Sequence, residues 1–286
     1  MARKPVAAGM FYEDDFSELD KQIITCFEEG TGSLPASKKD KDIKGIIAPH
    51  AGYAFSGKCQ AWAYKEVGEA EMPSVYIVLG TNHSGIGGTC TLIEDFEMPF
   101  GKVKVDKEFA KSMIGKSINE NKEAHSKEHS IEVQLPFLQF VNKDRLKEVM
   151  IVPILVRHGE DYERLAKDIV NTAKQLDRKI IVIASSDFTH YGISYAYIPF
   201  TDNVNKKVHE MDKKAIEFLE KMDAFSFIEY VNTNQMTVCG AYAIAAAVET
   251  CKLLGGEKGK LLRYYTSGDV TGDYGNSVGY GAILFK

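Results

Sequence analysis

Four segments of the chain end in a histidine or in an acidic–histidine cluster. They are Ile46-Ile47-Ala48-Pro49-His50, Ile77-Val78-Leu79-Gly80-Thr81-Asn82-His83, Lys127-Glu128-His129-Ser130 and Ile183-Ala184-Ser185-Ser186-Asp187-Phe188-Thr189-His190. Imidazoles exchange protons near neutral pH and ligate metals as neutral rings, and carboxylates beside them set ring orientation and tautomer. Three of the four segments follow short β-branched runs of the kind that make buried parallel strands. In an open α/β sheet, the loops after the carboxyl ends of the strands converge on one crevice, where ligands bind. The pattern predicts one site, lined by imidazoles and carboxylates from scattered parts of the sequence.

Taken singly, each segment also has a plainer reading. A lone strand-end histidine such as His50 is as readily a hydrogen-bonded structural residue as a ligand. The loop Gly80-Thr81-Asn82-His83-Ser84-Gly85 has the glycines of a phosphate loop but the spacing of neither the P-loop nor the dinucleotide fingerprint. Asp187 is placed to orient His190 or, alternatively, to cap the turn that follows it. His129 is a catalytic candidate, Glu128 a weaker one, and Glu132 reads equally as a first-turn acid favoured by the helix dipole. His125 and His158 in polar turns, and His209 on a charged helix, read as solvated surface residues.

Thr237-Val238-Cys239-Gly240 leads into a run of small apolar residues, with Thr237 as the expected N-cap. A thiol in the first turn of a helix feels the positive end of the dipole, which favours thiolate. Thiolate binds metals or attacks electrophiles. Cys59 and Cys251 read as core packing. The 5 cysteines include no C-x-x-C pair, as expected of free thiols in a reducing compartment.

The elements that must position these residues alternate. Strands are expected at Lys44–Ala48, Val75–Leu79, Cys90–Ile93, Val149–Val156, Lys179–Ala184, Leu261–Thr266 and Val278–Phe285. Helices are expected at Phe16–Glu29, Gly57–Val67 behind a Ser56 N-cap, Glu160–Gln175, Asp202–Lys221 and Cys239–Leu254. Such alternation implies an α/β fold, a mostly parallel central sheet with helices on both faces. Gly30–Asp42 reads as a surface loop, so residues 1–286 are taken as a single domain. The polar, Gly-rich stretch after Tyr265 is a candidate wall of the crevice. A net charge of −5 argues against nucleic acid. No run approaches the roughly 18 apolar residues of a membrane span, and no signal-peptide core opens the chain, so a cytoplasmic location is expected.

Together, Ala8-Gly9-Met10-Phe11-Tyr12, Ala48-Pro49-His50-Ala51-Gly52-Tyr53, Leu79-Gly80-Thr81-Asn82-His83, Glu128-His129-Ser130-Ile131-Glu132, Ser185-Ser186-Asp187-Phe188-Thr189-His190 and Thr237-Val238-Cys239-Gly240 resemble the Memo family. Its microbial members are called AmmeMemoRadiSam system protein B. The resemblance implies a LigB-like fold, that of the class III extradiol dioxygenases, which open catechol rings at non-haem Fe(II). It also implies that His50, His83 and Cys239 are metal ligands, with Asp187 and His190 beside them. The dioxygenases use two histidines and a carboxylate; here Cys239 stands in the carboxylate's place, so simple catechols are expected to be poor substrates. Two imidazoles and a thiolate form a borderline-soft set that suits iron, copper or zinc, with Fe(II) the first expectation. The microbial family name implies association with a radical-SAM protein and a small third partner.

Three functions follow. The first is a metal-binding, redox-type protein with a dioxygenase-like cleft, in which His190, oriented by Asp187, exchanges protons, and His129 assists. The second is a peptide- or protein-binding scaffold using the same cleft, since vertebrate members bind phosphorylated receptor peptides. The third is a metal-free enzyme with Cys239 as nucleophile, His190 as base and Asp187 as orienter. The first is preferred, with a small molecule of unknown identity as substrate.

Overall fold

The computed structural model describes residues 2–286. Its strands are β1 (Gly45–Ala48), β2 (Val75–Thr81), β3 (Cys90–Thr91), β4 (Lys104–Val105), β5 (Asn119–Glu120), β6 (Met150–Val156), β7 (Ile180–Ser185), β8 (His190–Gly192), β9 (Gly259–Thr266) and β10 (Asn276–Phe285). They form one mixed sheet whose centre is the parallel set β6-β2-β7-β1. Beyond β1, the sheet turns antiparallel: β10 pairs with β1, and β9 and β8 pair with β10. Every residue of β1, β2 and β7 is buried. This is how β-branched strands behave when helices cover both sheet faces.

The helices are α1 (Phe16–Thr31), α2 (Tyr53–Gly68), α3 (Lys107–Met113), α4 (Lys122–Ser126), α5 (Leu135–Val141), α6 (Tyr162–Gln175), α7 (Val204–Glu220), α8 (Ala224–Thr233), α9 (Ala241–Leu253) and α10 (Ser267–Thr271). One layer packs α1 and α5 on α2, which lies on β1 and β10. Another packs α6 and α8 on α9, which lies on β7, β2 and β1. In α6, Leu165, Ala166, Ile169, Val170 and Ala173 recur at helical spacing and are buried, while Asp161 caps the first turn by accepting from Arg164 N–H. The fold is α/β with a mostly parallel sheet flanked by helices, as the alternation of elements predicts.

Register explains the convergence of the histidine-bearing turns. Ala48 on β1 lies opposite Ser185 on β7, and Leu79 on β2 lies opposite Ala184 on β7. The three strands end at nearly one level, so the turns to His50, His83 and Asp187 leave from adjacent points. A buried serine ties in the fourth segment: Ser130 Oγ accepts from Thr81 N–H and donates to Thr81 O, each at 3.0 Å.

Several local expectations are corrected. The second helix starts at Tyr53, not Gly57, with Gly52 as N-cap, and Ser56 lies inside it, its hydroxyl donating back to Ala51 O at 2.8 Å. The early start depends on a distant partner, because Tyr53 N–H donates to Phe11 O. The apolar run near the C-terminal end is helical only from Ala241, with Gly240 as N-cap, so Cys239 precedes the helix. Thr237 does not cap it; its hydroxyl pairs with the backbone of His190. The strand expected at Cys90–Ile93 is the two-residue β3, and α8 was not expected at all.

Candidate metal centre

His50 stands just past β1 and is almost wholly buried. Its backbone N–H donates to Asp187 Oδ1 at 2.9 Å, and its Nδ1 lies 2.9 Å from Ser185 Oγ. That hydroxyl spends its one proton on Ser130 O at 2.5 Å and accepts from Gln134 Nε2 at 2.8 Å. It must therefore accept from His50 Nδ1–H, which leaves His50 Nε2 with a bare lone pair. Cys239 Sγ lies 3.2 Å from that nitrogen.

His83 is set the same way by a different partner. Its Nδ1 faces both oxygens of Glu128, at 2.9 and 3.1 Å, and its backbone N–H donates to the same carboxylate at 3.0 Å. The acceptor is a carboxylate, so Nδ1 keeps its proton and Nε2 is the nitrogen left to ligate, losing its own proton when a cation binds. Burial pulls the His83 imidazole down, but hydrogen bonds to Cys239 and Glu128 outweigh it and push its pKa up to about 9. Glu128 is raised by burial and lowered more strongly by its hydrogen bond to His83 and that residue's charge, ending well below the usual carboxylate range. The weaker of the two candidates in its segment thus has a direct structural part.

Cys239 Sγ accepts from Asp187 N–H at 3.3 Å. The backbone amide that meets the sulfur comes from the turn after β7 rather than from the first turn of α9. The ligating atoms of His50, His83 and Cys239 all lie within 4.8 Å of one another. Donors held about 2.0–2.3 Å from a common ion stand roughly 3–4.5 Å apart, so donors this close together could hold one metal ion. The His50 and His83 rings meet edge-on, with centroids 5.5 Å apart.

His129 stacks on His83 with centroids 5.1 Å apart and planes 6° from parallel, and its other face leans on Phe11. Burial and the neighbouring His50 push its imidazole down to about 4. His190 and Asp187 lie in the same cleft, but one expected contact is not made. His190 Nδ1 faces two backbone carbonyls, Phe188 O at 3.0 Å and Thr237 O at 2.9 Å. These carbonyls orient the ring, while the carboxylate of Asp187 is held by the amide of His50.

The cleft encloses about 560 Å³. Phe11, Phe55, Tyr195 and Tyr280 make aromatic walls, and Ser267, Thr271 and Asp273 at α10 form a polar rim, as the Gly-rich stretch after Tyr265 suggested. Among the described residues, no lysine or arginine lines it. Sequence reasoning did not identify the aromatic walls; the Gly9-Met10-Phe11-Tyr12 motif was their one visible trace.

The remaining histidines divide. His158 is exposed, as expected. His125 is not: it is buried against Cys90 O, and burial pulls its pKa down to about 4. His209 is half-buried and paired with Asp269 at 2.9 Å. Glu132 is also buried, paired with Arg3 at 2.5 Å and accepting from Val6 N–H, Ala7 N–H and Tyr12 O–H.

A family model described as Memo-like protein matches residues 3–284. Relatives include a MEMO1 family protein of Methanopyrus kandleri, 39% identical, with the alignment covering 100% of this chain and 99% of that one. Another, from Nitrosopumilus maritimus, is 38% identical with both chains covered in full. A crystal structure of an uncharacterized protein from Escherichia coli K12 superposes with a TM-score of 0.51, covering 86% of this chain and 100% of that chain at 11% identity, a likeness of fold.

Proposed function

The chain belongs to the Memo family, and from the donors it brings together we propose that it is a metal-binding, redox-type protein with His50, His83 and Cys239 as ligands. Iron is the first expectation, with copper or zinc as alternatives. The observation that carries this reading is the preparation of the two imidazoles. Each has its Nδ1–H committed to a buried acceptor, Ser185 for His50 and Glu128 for His83, and each leaves Nε2 toward one sulfur.

A bound iron or copper ion would supply one-electron chemistry and Lewis acidity at the cleft floor. The chain's own residues do the rest. Glu128 fixes the His83 tautomer and ring plane; Asp187 and Ser185 do the same for the His50 backbone and ring. His129 presents its imidazole over the ligands as a proton-exchanging group, and His190 lines the same cleft. Phe11, Phe55, Tyr195 and Tyr280 narrow the approach of water to a bound small molecule. Thiolate in the carboxylate's place makes the donor set softer than that of the ring-cleaving enzymes, so catechol opening is not the expected reaction.

Two rival readings meet specific observations. A phosphopeptide needs cationic side chains, and the cleft offers aspartates instead. A metal-free cysteine enzyme finds its nearest base in His50, 3.2 Å from Sγ, rather than in His190. The test is anaerobic loading with Fe(II), metal analysis and oxygen uptake, for the parent and Cys239→Ser. A stoichiometric parent and a variant weakened on the order of 100-fold support the site, because a serine hydroxyl ionises far less readily than a thiol. A parent that retains no metal overturns the ligand assignment, and a loaded parent that consumes no oxygen with any reductant overturns the redox part. Association with a radical-SAM protein and a small third partner is part of the same proposal, tested by co-purification of the three chains.

A further inference from the structure

The ligating atoms of Asp187, His190 and Cys239 also lie within 4.8 Å of one another, in a set that shares only the sulfur with the first. The two sets do not merge into one, so a single ion held by His50, His83 and Cys239 leaves Asp187 and His190 unused. His190 is prepared in the same manner as the other imidazoles. Its Nδ1 lies 3.0 and 2.9 Å from two carbonyl oxygens, neither of which can donate, so Nδ1 carries the proton and Nε2 keeps its lone pair. Asp187 has Oδ1 engaged by His50 N–H, and a carboxylate has acceptor capacity beyond one bond. The rings of His190 and His50 and the Asp187 carboxylate all line one cleft.

We propose that Asp187 and His190 form a second cation site bridged to the first through the Cys239 thiolate. Thiolate sulfur has lone pairs enough for two metals. The added donors are one nitrogen and one carboxylate oxygen, a harder pair than the two imidazoles of the first site. The second site therefore favours a divalent cation of the iron, cobalt or zinc kind. Two ions sharing one ligand, at the few-ångström separation of known two-metal sites, present a substrate with two adjacent coordination positions rather than one. This rests on the proposed ligand role of His50, His83 and Cys239, and the experiment below separates the two.

The probe is Co(II), titrated anaerobically into the parent protein and followed by its thiolate charge-transfer absorption and its electron paramagnetic resonance. The parent is expected to take up about two equivalents, with the resonance of the first attenuated as the second binds through the shared sulfur. His190→Gln and Asp187→Asn should each stop at the first equivalent with the resonance retained, and melting curves verify that both variants fold. Asparagine keeps the oxygen that accepts from His50 N–H, so it serves if the glutamine variant does not fold. A parent that binds a single ion, lost in His50→Gln, overturns the second site and leaves the first standing. Two ions in the parent and still two in both rim variants place the second ion elsewhere and overturn the inference. A parent that binds none removes both sites.

Discussion

At the scale of single residues, the centre depends on what holds each ring as much as on the ligands. Glu128 touches no ion in the proposed arrangement, yet it accepts the hydrogen bond of His83 Nδ1–H and fixes the ring plane. Glu128→Gln keeps the shape and one acceptor but removes the charge, so metal affinity should fall roughly 10-fold with little change in fold. Competition against a chelator of known affinity measures this; an unchanged affinity would mean that the carboxylate only stabilises the loop. Cys59 supplies the contrast, since it is fully buried, belongs to neither donor set, and burial raises its thiol well above the usual range. Cys59→Ser buries a hydroxyl in place of sulfur and should cost about 1–3 kcal/mol in urea unfolding while metal stoichiometry stays as in the parent. The histidines that gather in the cleft were legible in the sequence because strand-end imidazoles repeat. Their supports were not. Glu128 read as a weaker site candidate with no partner assigned, because its pairing with His83 joins two distant segments. Asp187 read as the partner of His190, because hydrogen bonds to backbone carbonyls leave no trace in residue identity.

At the scale of elements, the start of α9 is pressed against the ends of β7 and β2. A Cβ on Gly240 would stand 2.7 Å from Ser186 Cβ and 2.8 Å from Thr81 Oγ1, and Gly240 N–H donates to Ser186 Oγ at 2.9 Å. This close approach delivers Cys239 to the histidines. Gly240→Ala should therefore cost about 1–3 kcal/mol by overpacking and also weaken metal binding, although alanine is the better helix former. A variant that is destabilised yet binds metal as the parent does would show that the sulfur's position is set elsewhere. The central strands were readable as apolar runs closed by histidines, and α6 by its spacing. The antiparallel course of β10 was not, because a buried strand reads the same in either direction. The start of α2 was equally hidden, since it depends on the carbonyl of Phe11, far away in the chain.

At the scale of the whole molecule, buried titratable groups make stability depend on pH. His125 holds no proton in the folded state until pH falls to about 4, whereas the unfolded imidazole takes one up near pH 6.5. The unfolded chain binds more protons across that interval, so stability drops as pH falls from about 6.5 to about 4, by roughly 3 kcal/mol from this residue. Asp212 opposes it: burial, partly offset by hydrogen bonds from Thr189 and Tyr264, pushes its carboxyl up to about 6. The folded state then holds the extra proton, and stability rises as pH falls from about 6 toward the unfolded value near 3.9. Urea midpoints at several pH values for the parent, His125→Gln and Asp212→Asn check both signs. The first variant should lose acid sensitivity and the second should gain it. Among the described residues, no helix is long and apolar enough to cross a membrane. Neither buried group announces itself in sequence, because His125 sits among charged residues and Asp212 on a lysine-rich helix.

The pairing of Arg3 with Glu132 spans 129 positions, and β1 does not gain its neighbour β10 until residues 276–285 are added. On a ribosome, the arginine is made long before the acid that receives it, and β1 waits for β10. The antiparallel side of the sheet can close on β1 only after residues 276–285 are made. Until then the exposed edge of β1 needs shielding from other nascent chains, and a slow step in translation before that point would prolong that exposure.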